Sequence, residues 1–425
     1  LVAAAAPVPP QNDPFYQPPS GFAATAPGTV LRSRQVTASA FGSLPQHVQA
    51  WQLLYRTTDT QGEPEATVTT VLEPAGAAPS ATRPLLSYQV AEDSAAPQCA
   101  ISYQLQQGAG HENFVAQAEI LLMDAALAKG WAVTVPDYEG PDSAYVGGRQ
   151  AGQAVLDAIR ATENFPAAGL VNGVHTNVGV WGYSGGALAS GWAAELQSGY
   201  APELNIKGVA EGGLPVNPAH VLTTINGGPF AGISMGGIVG LSKAYPQLAD
   251  FLSTHLTPEG TAAFATAATQ CNAENASTFA FKNIFDYFTV PDPLNQPVPQ
   301  QVLADDTLGQ HTPAAPLFVY ESVNDELVPH ADVDAVVQNY CGQGASVTYH
   351  RDILSEHVAL VVTGAPDALN WLSARLSGSP AATGCHTSTI ASSLLSPGAL
   401  PTFGLVLFND LLALLGTPIG PGDMA

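Results

Sequence analysis

The chain has 425 residues, 46% of them hydrophobic, enough for one large domain with an insertion or for two domains, and too apolar for wholesale disorder. Only 12 Lys and Arg stand against 35 Asp and Glu, a formal charge of −23, so there is no basic stripe to hold a phosphate backbone and nucleic acid is excluded as a partner. The same balance opposes docking on strongly anionic membranes but not on a neutral fat surface.

In chain order, residues 1–30 are rich in Pro, Ala and Gln without periodicity and read as an extended N-terminal arm. The opening Leu1-Val2-Ala3-Ala4-Ala5-Ala6-Pro7 reads as the product of signal or propeptide removal, which together with a pI near 4.5 leads us to expect a secreted, extracellular protein. Leu31–Thr37, Ala50–Thr57 and Ala66–Leu72 carry alternating or β-branched residues and predict an antiparallel start, with a turn at Thr60-Gln61-Gly62. From residue 84 the texture changes to strands alternating with helices. Strands are expected at Leu85–Val90, Trp131–Pro136, Val178–Gly182 and Ile206–Ala210, and helices at Asn113–Lys129, Arg149–Thr162 and Gly185–Gln197. That order implies a mostly parallel sheet covered on both faces.

Residues 213–305 interrupt the rhythm. Pro218 to Ser242 holds six glycines and no charged residue, and Pro229, His220 and the glycines argue against a membrane helix. We read 213–305 as a helical lid covering something apolar. The rhythm resumes with strand Pro316–Tyr320, helix Asp332–Tyr340, strand Ser346–His350 and helix Val358–Leu376, so the core comprises 31–212 and 306–384. The tail 385–425 is apolar, notably Phe403–Leu415, and is expected to pack back on the core.

The four cysteines, Cys99, Cys271, Cys341 and Cys385, include no Cys-x-x-Cys pair, which speaks against a zinc ribbon or a redox motif. Three pairings are open, as are four free thiols. We favour Cys99–Cys271 and Cys341–Cys385, the second pair flanking one compact segment; chain entropy makes such loops worth about 5 and about 4 kcal/mol at most. Asn275-Ala276-Ser277 is a glycosylation sequon, a triplet that chance also supplies.

The central signal is Gly182-Tyr183-Ser184-Gly185-Gly186, a G-x-S-x-G run entered by the strand Val178-Gly179-Val180-Trp181 and left by a helix of small residues. A strand turning sharply into a helix exposes the serine and requires small neighbours, as in the nucleophile elbow of α/β-hydrolases. The helix start aims N–H groups and a positive dipole end at the same point. A serine hydroxyl needs a base, and the base an orienting carboxylate; in this fold they follow in that chain, acid first, on loops after later strands. Asp325 follows the strand ending at Tyr320, and His357 follows the strand ending at His350, so both fall at the edge that carries Ser184. His330 and His350 rival His357, but one opens a helix and the other lies within a strand. Asp332 and Asp334 rival Asp325, but they sit on a helix; Glu326, adjacent to Asp325, is the remaining substitute. An oxyanion needs two donors. One is the N–H of Gly185; the other comes from the loop after Leu85–Val90, where Glu92 and Asp93 stand.

At these residues the sequence resembles the fungal secretory lipase family, the Candida antarctica lipase A type. The resemblance includes Asp13-Pro14-Phe15-Tyr16, Leu54-Tyr55-Arg56-Thr57-Thr58, Ser87-Tyr88-Gln89-Val90 with Glu92-Asp93, Gly182–Ala187, Tyr200–Ile206 and Asn226–Gly232. It implies an α/β-hydrolase core, a mostly parallel central sheet with a large helical lid insertion, the triad Ser184, Asp325 and His357, and an oxyanion hole made by the backbone N–H groups of Asp93 and Gly185. It also implies an acyl tunnel beneath the lid and hydrolysis of triacylglycerols and related esters. The partners expected are a lipid or small ester substrate and transient contact at a lipid–water interface, with the protein a monomer. No metal or cofactor is implied: the chain has no His-Glu-x-x-His, and this triad needs none. The competing readings are a serine peptidase on the same fold and a non-catalytic binding module that kept it. The uncharged cap speaks against recognition of a peptide terminus, and no triad member is missing.

Overall fold

The computed structural model describes residues 6–111 and 113–421. The first five residues of the expected arm and the last four of the expected tail lie outside the described residues.

Ten strands make one sheet: β1 Val30–Val36, β2 Gln49–Thr58, β3 Pro64–Glu73, β4 Leu85–Gln89, β5 Ala132–Pro136, β6 Val178–Tyr183, β7 Ile206–Gly212, β8 Leu317–Ser322, β9 Val347–Asp352 and β10 Cys385–Ile390. They lie in the order β1-β2-β3-β5-β4-β6-β7-β8-β9-β10. The pairs β1/β2, β2/β3 and β3/β5 are antiparallel and every pair from β5 onward is parallel. Every residue of β4, β5 and β6 is buried, because helices cover both faces and leave no polar side to alternate.

The helices are, in chain order, α1 Ile101–Gln104, α2 Phe114–Ala118, α3 Ile120–Ala128, α4 Gly148–Glu163, α5 Gly185–Tyr200, α6 Pro218–Ile225, α7 Ala231–Ala244, α8 Pro246–His255, α9 Pro258–Ala267, α10 Asn272–Thr278, α11 Pro297–Asp305, α12 His330–Gly342, α13 His357–Thr363, α14 Ala365–Leu376 and α15 Ala399–Leu414. Val155 and Ile159 of α4, Trp192 of α5 and Val336 of α12 pack on one face of the sheet. Met123 and Leu127 of α3 pack on the other with Leu369 and Leu372 of α14. Helices α6–α11 fill the stretch between β7 and β8 and hold a third apolar cluster of their own, around Met235, Phe251, Phe264 and Val302. α6 and α7 have 8 and 14 residues, and no described helix is long and apolar enough to cross a membrane.

Four local expectations need correction. Residues 10–24 are not extended but wound into three short 3₁₀ turns, because Pro10 and Pro14 start turns and Asp13 caps one of them. The helix expected over Asn113–Lys129 breaks at Glu119 into α2 and α3; the Glu119 carboxylate instead accepts from Tyr88 Oη at 2.8 Å and from the Ala91 N–H at 3.1 Å. The helix expected over Val358–Leu376 starts one residue earlier and breaks at Gly364, where a Cβ would lie 2.6 Å from the Tyr320 ring. The tail does not only pack on the core, for its first residues form the edge strand β10, exposed and therefore without an apolar pattern to read. Both favoured disulfides are present: Cys99–Cys271 ties the segment after β4 to the helical insertion, and Cys341–Cys385 ties α12 to β10.

Candidate active site

Ser184 stands between β6 and α5 with φ +53° and ψ −122°, a conformation that L side chains rarely adopt. The glycines on either side are there for space. A Cβ on Gly182 would sit 2.1 Å from the Gly186 carbonyl oxygen, and one on Gly186 would sit 1.9 Å from the Gln89 carbonyl oxygen on β4. The end of β6, the first turn of α5 and the end of β4 thus pack tightly at the elbow.

His357 opens α13. Its Nε2 lies 2.9 Å from Ser184 Oγ and its Nδ1 lies 2.6 Å from Asp325 Oδ2. Asp325 sits in the loop after β8, where its Oδ1 accepts the N–H groups of Leu327 and Val328 at 2.9 and 2.6 Å. Burial pushes its carboxyl up, but the hydrogen bond and charge of His357 outweigh that and hold it below the usual range, so it stays ionised. The structure therefore brings Ser184, His357 and Asp325 into one continuous hydrogen-bonded chain.

Two further groups hold His357 and a third stands beside Asp325, all unseen in the sequence in this role. Tyr183 donates its hydroxyl to the His357 carbonyl at 2.6 Å. Glu326 accepts the His357 backbone N–H at 2.9 Å, so it braces the base from behind and does not replace Asp325 on the ring. Glu321, fully buried, is pushed well up by burial and by the charge of Asp325, and its two oxygens accept the N–H groups of Leu214 and Ser322.

Asp93 has φ +48° and lies over the start of α5, its Oδ1 1.9 Å from where a Cβ of Gly185 would be. The backbone N–H groups of Asp93 and Gly185 bond no other protein group among the described residues. Asp93 is 7% exposed, and burial pushes its carboxyl up to about 6, offset in part by the charge of His357. Behind it Glu92 and Glu139 are fully buried: burial and the charge of Asp137 push Glu92 well up, and burial with the charge of Glu92 pushes Glu139 well up, offset in part by Lys243.

A cleft opens over these groups. Ser184, Gly185 and Asp93 form its polar end; Val221, Ile225, Ile233 and Ile238, contributed by α6 and α7, form its apolar wall. A second, wholly apolar chamber lies between α7, α8 and α11, and Leu222, Ile238, Leu241 and Leu303 line both. The uncharged run Pro218–Ser242 is therefore a wall of the cleft.

The other sequence candidates lie elsewhere. His350 on β9 bonds Asp367, Asp332 bonds His220, and Asp334 pairs with Arg351. His330 starts α12. Asn275 of the sequon is 1% exposed, and its amide donates to the carbonyls of Ala267 and Gln270. A glycan on that nitrogen is incompatible with this packing.

A mostly parallel sheet, a strained serine between strand and helix, and partners supplied from the ends of later strands define an α/β-hydrolase. Comparison with known proteins narrows this. The secretory lipase family model matches residues 105–384, and the chain belongs to that family of carboxylic ester hydrolases. Lipase A of Arthroderma benhamiae is 44% identical over 98% of this chain and 90% of its own length. A probable inactive lipase of Mycobacterium tuberculosis is 42% identical over 88% of this chain and 84% of its own length. Among solved structures, Candida antarctica lipase A in its closed state superposes with a TM-score of 0.88 at 32% identity, covering 98% of this chain and 99% of that one.

Proposed function

We propose that the protein is a secreted serine lipase that cleaves acyl esters of the triacylglycerol type through an acyl-enzyme on Ser184. The carrying observation is the chain of 2.9 and 2.6 Å contacts from Ser184 through His357 to Asp325. His357 takes the Ser184 proton as Oγ adds to the ester carbonyl. The oxyanion so formed is held by the N–H groups of Gly185 and Asp93. Collapse breaks the bond to the alcohol, which leaves with the proton from His357; a water activated by the same imidazole then releases the acid. Asp325 stays ionised throughout, balancing the imidazolium. Secretion agrees with the family's name and with two disulfides, which persist in oxidising surroundings. Every group named comes from one chain, so a monomer suffices.

In this reading residues 213–305 are the lid and the two chambers beneath it take the acyl chain. Narrowing the neck between them with Ile238→Phe is expected to cut turnover of dodecanoyl and longer esters at least about tenfold while butanoyl esters change by less than about threefold, since overfilling a packed apolar slot excludes chains that must pass it. A uniform loss across acyl lengths would assign the chambers another role.

The direct test is reaction with a fluorophosphonate, followed by peptide mapping and by rates on matched ester and amide substrates. An adduct on Ser184 with esters strongly preferred is the expected result. No adduct on the folded protein would place this chain with the inactive relative, and a preference for amides would make it a peptidase.

A further inference from the structure

Helix α15 is built inside out. Its Asn409 and Asp410 are buried, while Leu400, Leu405, Leu407, Phe408, Leu411 and Leu415 on and just after it are 51 to 74% exposed. Single exposed leucines are ordinary, but a row of six large apolar side chains on one helix marks a surface that meets something apolar. Beside the row lies a groove of about 270 Å³ between α3, α14 and α15, walled by Leu122, Leu369, Phe403 and Val406 and reaching Val362 of α13. Val358 and Val362 on α13 are themselves exposed, and α13 begins at His357. The apolar face thus runs from the tail to the helix that carries the base.

Charge selects the occupant. α15 and α13 contain one acidic side chain, the inward Asp410, and no Lys or Arg, on a chain of net −23. Two copies meeting on this face would bring two chains of net −23 together, and an anionic bilayer would repel the chain in the same way. An uncharged ester phase carries no such penalty. We propose that the outer face of α15, continued by Val358 and Val362, is the surface by which the protein seats itself on a neutral lipid–water interface, with the adjoining groove open to an alkyl chain of that phase. The inference rests on the lipase reading for its choice of lipid, and it names the face that makes the contact.

The test is the double variant Phe408→Glu/Leu411→Glu of the full chain. Both side chains already face water, and fold is checked by thermal unfolding. Co-sedimentation with triolein emulsion and with phosphatidylcholine vesicles is expected to drop at least tenfold, and emulsion hydrolysis with it. kcat/KM on soluble p-nitrophenyl acetate should stay within twofold. Should that variant misfold, Leu400→Ser/Leu415→Ser at the ends of the row is the substitute, with at least a threefold drop expected. Unchanged emulsion binding in a folded variant overturns the proposal. So does a wild-type dimer in analytical ultracentrifugation that the variant dissolves, and so does tighter binding to phosphatidylserine than to phosphatidylcholine vesicles. Emulsion binding by Ser184→Ala separates the two readings: if wild type fails to cleave any ester yet the inactive protein still sediments with triolein, the catalytic proposal fails and the docking face stands.

Discussion

Ser184→Ala is expected to lower kcat/KM on soluble p-nitrophenyl esters by about 10⁴-fold or more, with the fold intact. The size of the loss follows from what remains. Without Oγ there is no atom to carry the acyl group, while His357 keeps its bond to Asp325 and the free N–H groups of Gly185 and Asp93 still polarise a bound carbonyl. Those donors sustain only the residual rate of water attack. Alanine meets the same positive φ that serine tolerates there, so unfolding should shift by no more than a few degrees. Asp93→Ala is the internal contrast. It removes a carboxyl but leaves the backbone N–H in place, and its loss should stay below about a hundredfold, less than removing one donor costs. Losses of equal size at the two positions would mean that the Asp93 side chain, not its N–H, meets the developing charge.

The parts of the site legible in the sequence are those governed by local geometry. Gly182 and Gly186 announce the elbow because each faces a carbonyl oxygen at a distance no Cβ tolerates. Asp325 and His357 are legible because chain order fixes which strand end each occupies. What escaped depends on contacts between distant segments. Glu321 reads as an ordinary strand residue until β7 and β8 pair and bring the Leu214 N–H to its Oε2 at 3.0 Å. Glu119 reads as one more helical position, although its carboxyl group ties β4 to the loop that follows it in place of continuing the helix. Strand β10 has no apolar alternation because an edge strand at the surface needs none, and the disulfide at Cys385 is what marks its register against β9. Neither α15's apolar exterior nor the burial of Asn275 is a property of composition: both depend on which way a segment turns once packed.

Thermal stability is expected to fall as pH rises from about 4.5 to about 8.5, the reverse of a protein held by surface ion pairs. Glu119 and Glu211 are both fully buried, and burial pushes each carboxyl up to about 8, with nearby acids adding to the shift. Glu211 has no hydrogen-bond partner for either oxygen among the described residues. In the unfolded chain both titrate near 4. The folded state therefore binds these protons more tightly, so their contribution is fully present below the unfolded value and is lost as pH climbs through the folded one. At about 1.4 kcal/mol per pH unit, each accounts for on the order of 5 kcal/mol across the window. An unfolding entropy of about 2.1 cal/mol/K per residue makes about 0.9 kcal/mol/K for a chain of this length, so losing both lowers Tm by about 10 °C. Glu211→Gln keeps the shape and removes one titration, and should flatten roughly half of that slope. Calorimetry of wild type and variant at matched ionic strength decides it: a Tm that is level or rises towards pH 8.5 would mean that these carboxyls are already ionised inside the fold, and that water reaches them.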